Sequence, residues 1–99
     1  MYNARGKSKA NGKGGIKFPA LECWNPMTKV ASIAAEVDGR RVMCRISAKV
    51  LEKKFGLSDD GPMRTVVENR PAIEAAARVL IERTAFDESG AIIVGMRDL

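Results

Sequence analysis

Five cations near the start of the chain are the side chains best suited to bind a ligand. They are Arg5, Lys7, Lys9, Lys13 and Lys17. No Asp or Glu precedes Glu22, and beyond residue 17 the chain carries twelve basic against twelve acidic residues. Clustered cations neutralise phosphates and release their counterions, which gives sequence-independent affinity for nucleic acid. We therefore expect nucleic-acid binding through these five residues, and a solubilising tail without a ligand is the alternative.

Side chains suited to catalysis are scarce in this sequence. There is no His, so general acid–base chemistry would fall to carboxylates, Lys, Tyr or Cys. Adjacent carboxylates occur at 59–60 and 87–88, where turn solvation or a helix dipole explains them. Cys44 falls on a predicted core position, and Cys23 has no neighbouring base to activate it. We predict a protein that is not an enzyme, with no catalytic residues and no cofactor.

Metal binding and export also lack a sequence signal. Two Cys without any His form neither a zinc ligand set nor a disulfide framework. The apolar runs are shorter than the roughly 20 residues that span a bilayer. The basic start leads into Gly, Asn and Lys instead of the apolar segment of a signal peptide. We expect a cytoplasmic protein with free thiols, no metal and no membrane association.

The cations near the start precede the part of the chain that can fold. Residues 3–15 contain four Gly and have no hydrophobic periodicity, so they cannot bury enough surface to offset the entropy of ordering. We predict a flexible basic arm over 1–15 and a single domain over 16–99. A short edge strand is expected at 16–18, before Pro19, and irregular structure over 19–29.

The strongest structural signal is a β-hairpin over residues 30–47. Two alternating runs, VASIAAEV and RRVMCRIS, flank Asp38-Gly39, a pair typical of a type I′ turn. A two-residue turn fixes the register, pairing Val37 with Arg40 and Glu36 with Arg41. One face of the hairpin is then apolar and comprises Ala31, Ile33, Ala35, Val37, Val42, Cys44 and Ile46.

The opposite, outer face of this hairpin is the second candidate site. The predicted register places there Val30, Ala34, Arg41, Met43 and Arg45, and the last strand adds Ile93. An apolar centre framed by arginines resembles a protein interface. The alternative function is therefore a protein–protein interaction module, an inhibitor or a homodimer that uses this face. Phe18 or Trp24 could fold over this face and add to it, whereas no patch remains if the Trp24 segment or a helix covers it.

Three helices and a final strand complete the predicted fold. The helices are predicted over residues 48–55, 62–69 and 71–84. Ser47 is a natural N-cap, Pro62 suits a first turn, and Pro71 predicts a break near residues 69–70. The apolar segment 91–95 predicts the last strand. The predicted class is α+β, an antiparallel sheet built on the 30–47 hairpin, backed by two or three helices, with a C-terminal strand.

Arg70, at the predicted helix break, has two interpretations. A guanidinium at a break could hold a phosphate or a carboxylate ligand. Alternatively, Asn69 and Arg70 form a cap and hinge ahead of Pro71, with Arg70 paired to Glu74 one turn later. The second interpretation is favoured, because helix-boundary signals explain both residues.

A set of turn, cap and core residues from residue 16 onward resembles a known family. The set is Phe18-Pro19, Trp24, Val37-Asp38-Gly39, Cys44, Ile46-Ser47, Leu51, Phe55-Gly56, Asn69-Arg70, Ile73-Glu74, Ala77 and Gly90. Their order is similar to that of the small bacterial proteins filed as domain of unknown function fourteen-eighty-eight. The resemblance implies a compact α+β domain with a helix-backed sheet. It implies no activity, cofactor or catalytic residue, and the basic lead lies outside it.

Overall fold

The protein is an α+β fold in which three helices back a five-stranded mixed sheet. The computed structural model describes residues 15–99. The elements are β1 (Ile16–Lys17), β2 (Glu22–Asn25), β3 (Val30–Val37), β4 (Arg40–Ser47), α1 (Ala48–Phe55), α2 (Pro62–Glu68), α3 (Arg70–Glu82), β5 (Ile92–Ile93) and a C-terminal 3₁₀ helix (Met96–Asp98). The predicted fold class is confirmed. Four of the five predicted arm cations, Arg5, Lys7, Lys9 and Lys13, lie outside the described residues, so the flexibility of the arm stays a prediction.

The β3–β4 hairpin has the predicted turn and register. Asp38 and Gly39 both have positive φ, 52° and 83°, as a type I′ turn requires. Val37 pairs with Arg40, and the ladder continues without a bulge to the pairing of Val30 with Ser47. The alternation of inward and outward side chains therefore matches the prediction, and the seven residues predicted for the inner face share one face.

The core lies between this inner face and the three helices. From β3 and β4 it takes Ala31, Ile33, Ala35, Val42, Cys44 and Ile46. From the helices it takes Leu51, Val66, Ile73, Ala76, Ala77, Leu80 and Ile81. Four of these core residues are alanines, Ala31 and Ala35 in the sheet and Ala76 and Ala77 in α3.

The edge of the sheet beyond β3 is formed by two strands, β1 and β2, in succession. β1 was predicted, but the expectation of irregular structure over 19–29 was wrong, because residues 22–25 pair antiparallel with β3. Between β1 and β2, residues 18–21 face only two residues of β3, so the edge bulges outward after Pro19. An insertion of two residues preserves which side chains face inward, and β1 and β2 keep the same parity.

Helix boundaries follow the capping residues. α1 has the predicted bounds, and the Ser47 hydroxyl accepts a hydrogen bond from the Val50 amide at 3.2 Å. The predicted break falls at Asn69 (φ −115°, ψ 20°), which separates α2 from α3. α3 begins at Arg70, one residue before the predicted start, and ends two residues before the predicted end.

The last strand, β5, is shorter than predicted and runs parallel to β4. It comprises two residues, Ile92 beside Cys44 and Ile93 beside Arg45. The sequence prediction did not specify its direction. A parallel partner needs a long crossover, and residues 48–91, which include all three helices, supply it. Within residues 15–99, no helix is both long enough and apolar enough to cross a membrane.

Candidate functional site

The N-terminal segment joins the domain at the tip of the β3–β4 hairpin. The Gly15 carbonyl accepts a hydrogen bond from the Asp38 amide at 2.8 Å. A Cβ at position 15 would lie 2.2 Å from a carboxylate oxygen of Asp38, so a larger residue there would displace that side chain. Residues 1–14 therefore connect to the described part of the chain beside the hairpin turn.

Three cations surround this junction, and we call them the tip cations: Lys17, Arg40 and Arg41. All three are exposed. Arg41 lies 3.4 Å from the Glu36 carboxylate, across the hairpin, with both side chains nearly half exposed. Within residues 15–99, neither Lys17 nor Arg40 forms a salt bridge. Glu36 and Asp38 also lie at the tip, so the three tip cations exceed these two acidic residues by one.

A surface groove of about 580 Å³ lies beside the tip. Its lining includes Asp38, Arg40, Arg41, Phe86, Ser89 and Gly90. We call it the tip groove. Phe86 is 40% exposed, and its backbone bridges to Ile92 of β5. The groove thus places an accessible aromatic ring beside the hairpin turn.

Asp87 fixes the loop that forms one wall of the tip groove. Its Oδ1 atom accepts hydrogen bonds from the Ser89 amide, the Ser89 hydroxyl and the Ala91 amide, at 2.8, 2.7 and 2.9 Å. The bond from the Ser89 hydroxyl, followed by that from the Ala91 amide, lowers the pKa of Asp87. Arg45 approaches the other carboxylate oxygen at 4.0 Å. The loop is therefore held to the start of β5 by one side chain.

The outer sheet face carries the residues predicted for a protein interface. Ile93 is 52% exposed, whereas Ala34 is almost fully buried and offers little surface. Arg41 and Arg45 are exposed, and Val30 and Met43 are half-buried. Neither Phe18 nor Trp24 folds over this face, as was considered from the sequence, because both pack against the core on the opposite side.

Two shallow grooves meet on this outer face. One, of about 470 Å³, is lined by Cys23, Val30, Ser32, Met43 and Arg45 among others. The second, of about 300 Å³, is lined by Val30, Arg45, Val50, Ile93 and Val94 among others. Val30 and Arg45 line both grooves, so the two grooves form one continuous depression. We call it the outer-face groove.

Arg70 is occupied by contacts within the protein. Its guanidinium donates to Glu74 and to the Pro19 carbonyl, each at 2.6 Å, and also binds Glu22. These partners use donors from all three guanidinium nitrogens. The structural interpretation of Arg70 therefore fits the geometry, and the ligand-binding interpretation does not.

The two thiols occupy different environments. Cys44 is fully buried, and burial raises its pKa to about 11. Cys23 is exposed on the outer face, beside Ser32. In the described part of the chain, no group of three or more acidic, Cys or His side chains could hold a metal ion.

Sequence reasoning missed Arg40 and Phe86 as candidate site residues. Arg40 was placed correctly in the hairpin, but its proximity to residue 15 depends on the pairing of β1 with β3, which was not predicted. Phe86 lies in a segment without periodicity, and only the parallel docking of β5 carries it to the hairpin tip. No local sequence signal identified either residue.

Comparison with known proteins agrees with the resemblance noted from the sequence. Residues 16–94 match the family model described as "Protein of unknown function (DUF1488)". A crystal structure of a DUF1488 protein of unknown function from Shewanella loihica PV-4 is similar, with a TM-score of 0.74 and 29% sequence identity. The similarity covers 81% of this chain and 91% of that one. No curated protein matches the chain. The protein belongs to the DUF1488 family.

Proposed function

We propose that the protein is a non-enzymatic accessory module that binds nucleic acid without sequence preference through its N-terminal cations. The observation that supports this is the hydrogen bond between Gly15 and Asp38, which joins residues 1–14 to the domain beside the tip cations. The segment that carries Arg5, Lys7, Lys9 and Lys13 thus enters the described part of the chain near Lys17, Arg40 and Arg41. The two sets of cations can contact one polyanion together.

The strength of such binding follows from counterion release. Five phosphate contacts give a log–log salt slope of about −4.5 on duplex DNA and about −3.5 on a single strand. Affinity from this term alone is weak, with a Kd on the order of 10⁻⁴ M at physiological salt. The module would then act by adding affinity to another interaction or by working at high local concentration.

A charge-matched pair of variants tests this function. In the arm variant, Arg5, Lys7, Lys9 and Lys13 are all replaced by Gln. In the body variant, four exposed cations elsewhere are replaced by Gln: Lys49, Lys53, Lys54 and Arg97. Both lose the same charge, so a difference between them reports position and not net charge. Binding of labelled oligonucleotides is measured by fluorescence anisotropy at about 50 and 200 mM salt, where the counterion term differs most.

We expect the arm variant to bind at least tenfold more weakly at the lower salt and to show a flatter salt slope. The body variant should remain close to the parent chain. Equal losses in both variants would mean attraction by net charge alone and would contradict the proposal. Absence of binding by the parent chain at the lower salt would also contradict it.

A second candidate function is protein interaction through the outer-face groove. The observation that favours it is the continuous depression at Val30 and Arg45, with Ile93 half exposed at its margin. If the occupant is a second copy, Met43→Glu should convert a dimer to a monomer. Val79→Glu, at a 43% exposed position on α3, is the control. Light scattering of the parent chain decides the point, and a monomer at high concentration contradicts the homodimer.

A further inference from the structure

We propose that Cys23 is a site of reversible modification by a low-molecular-mass disulfide that carries a carboxylate, and that Arg45 and Ser32 bind this carboxylate. The reaction is thiol–disulfide exchange. The Cys23 thiol loses its proton, and the thiolate attacks one sulfur of the disulfide R–S–S–R. A Cys23–S–S–R bond forms, and R–S⁻ leaves with the electron pair of the old bond. The inference concerns residues 15–99 only and does not depend on the proposed nucleic-acid binding.

The register of the sheet places a thiol, a hydroxyl and a guanidinium side by side on the outer face. Cys23 of β2 pairs with Ser32 of β3, and Ser32 pairs with Arg45 of β4. Directly paired residues of neighbouring strands project to the same side of a sheet, with their Cβ atoms about 4.5–5.5 Å apart. All three side chains line the larger part of the outer-face groove, of about 470 Å³. The row is therefore built on three paired strands and not on a loop.

The Ser32 hydroxyl is a buried polar group that lacks a partner in the described part of the chain. Ser32 is only 8% exposed, and it lines the groove. The other three serines of residues 15–99, Ser47, Ser58 and Ser89, each use their hydroxyl in a hydrogen bond. A buried polar group without a partner is costly and uncommon in folded proteins. A polar ligand in the groove would supply the missing partner.

Arg45 gives this part of the groove a positive charge. Among the described residues, no Asp or Glu lines it. Asp87 lies 4.0 Å from Nη1 of Arg45, which is longer than a hydrogen bond, and the Arg45 side chain is 44% exposed. Asp87 belongs to the loop beside β5, which flanks β4 on the edge away from β3. The guanidinium donors therefore remain available to an anion above Ser32.

The order of the three side chains defines the class of the ligand. A guanidinium matches the planar geometry of a carboxylate, and the neighbouring Ser32 hydroxyl can donate to the same group. Cys23 lies on the other side of Ser32, so the reacting sulfur of the ligand must be close to its carboxylate. Amino-acid thiols, in which two carbon atoms link the sulfur to the carboxyl carbon, have this form. Their disulfides are the expected reactants.

The fold separates Cys23 from the second thiol of the chain. Cys23 is exposed on the outer face, whereas Cys44 is fully buried on the inner face of the sheet. A disulfide in solution therefore reaches Cys23 and not Cys44. Since Cys44 cannot attack the new bond from the opposite face, only an external thiol reverses the modification. The adduct would change both the shape and the charge of the outer-face groove.

The experiment compares two disulfide reagents on the folded full chain. Dithiobis(nitrobenzoate) carries carboxylates, dithiodipyridine is neutral, and each releases a product that is followed by absorbance. The ratio of the anionic to the neutral rate constant cancels any change in the ionisation of the thiol itself. We expect Arg45→Gln to lower this ratio about three- to fivefold. Arg41→Gln is the control, because Arg41 is an exposed cation of the same strand and face that does not line this part of the groove.

Ser32→Ala tests the hydroxyl. It should lower the same ratio about threefold through loss of one hydrogen bond to the carboxylate. Because the hydroxyl has no partner within residues 15–99, this variant should unfold at the same urea concentration as the parent chain. A clear loss of stability in Ser32→Ala would show that the hydroxyl already serves the fold, and would contradict its role in the site.

Two measurements on the parent chain make the test independent of variant folding. Raising the salt concentration from about 20 to 200 mM should slow the anionic reagent and leave the neutral one unchanged. Incubation with cystine should add one cysteine per chain by intact mass, dithiothreitol should remove it, and Cys23→Ser should take up none. Equal rate ratios in Arg45→Gln and Arg41→Gln, modification of Cys44, or a disulfide-linked dimer in place of the adduct would overturn the proposal.

Discussion

Arg70, at the start of α3, binds Glu22 in the edge strand β2, 48 residues away in the sequence. The same guanidinium also contacts Glu74 one helical turn later and the carbonyl of Pro19, where the sheet edge bulges. One side chain thus ties the break between α2 and α3 to the interrupted edge of the sheet. This link adds to the pairing of β2 with β3, since β2 contributes only one half-buried side chain, Trp24, to the interior.

Replacing Arg70 with Ala should destabilise the protein markedly. The change removes charge-assisted hydrogen bonds and leaves Glu22 and Glu74 without their shared cation, so we expect a loss of about 2 kcal/mol. Urea unfolding measures the shift of the midpoint. Arg64→Ala is the matched control, because Arg64 pairs with Glu68 on a surface where both side chains are at least half exposed. That pair should be worth only about 0.3–0.5 kcal/mol. Similar losses in the two variants would contradict the assignment of Arg70 as a clamp.

Local signals explain why much of the fold was predictable. Asp38-Gly39 determines the hairpin register, and Ser47 and Pro62 determine where α1 and α2 begin. Each of these acts within a few residues of its effect. Strand β2 could not be predicted in this way, since Glu22 and Asn25 are polar and the pairing with β3 follows from contacts made by distant residues. Arg70, read from the sequence as a cap and hinge, also has a long-range role that its neighbours did not reveal.

The candidate site was less predictable than the fold for the same reason. The cations of the arm are visible in the sequence because charge needs no tertiary context. The tip groove, however, needs β1 beside β3 and the 86–90 loop beside β4, and both placements are long-range. Arg40 was assigned to the correct strand, yet its proximity to the arm could be seen only once Gly15 and Asp38 were paired.

The hairpin turn gives a second prediction. Gly39 has a φ of +83°, and no atom lies within 4 Å of the position that a Cβ would occupy. Gly39→Ala should therefore cost about 1 kcal/mol from backbone conformation alone. Gly39→Asn should cost less, since Asn tolerates a positive φ far better than Ala. Thermal unfolding of both variants checks the order, and an Ala variant as stable as the parent would contradict the type I′ turn.

A third prediction concerns the loop that borders the tip groove. The hydrogen bond from the Ser89 hydroxyl is the main cause of the lowered pKa of Asp87. Ser89→Ala should raise that pKa toward the ordinary value of about 3.9. NMR titration of the Asp87 side-chain carboxyl carbon measures it. Ser58→Ala, which removes a hydroxyl that binds a different loop amide, is the control.

The same lowered pKa fixes the direction of a pH effect. The carboxylate form of Asp87 holds the loop, so its contribution is complete above the pKa of the unfolded chain. It is lost as the pH falls through the lower pKa of the folded protein. The protection of amides in residues 88–91, measured as the exchange rate relative to the intrinsic rate at the same pH, should therefore fall on acidification, and Asp87→Ala should show low protection already at neutral pH. Protection that is unchanged in Asp87→Ala would mean that other contacts hold this loop.

The buried thiol predicts a loss of stability at alkaline pH. Burial raises the pKa of Cys44 from 9.0 to about 11, so the folded state keeps its proton over a range where the unfolded state ionises. The stabilisation is complete below pH 9.0 and is lost as the pH rises through about 11. At most, this difference is worth roughly 3 kcal/mol. Urea midpoints of Cys23→Ser and of Cys23→Ser/Cys44→Ala, measured from pH 8 to 11, test it. Ionisation of lysines affects both proteins alike. The urea midpoint of Cys23→Ser, which keeps Cys44, should therefore fall more steeply with pH. Parallel curves would show that Cys44 ionises as readily in the folded protein as in the unfolded chain.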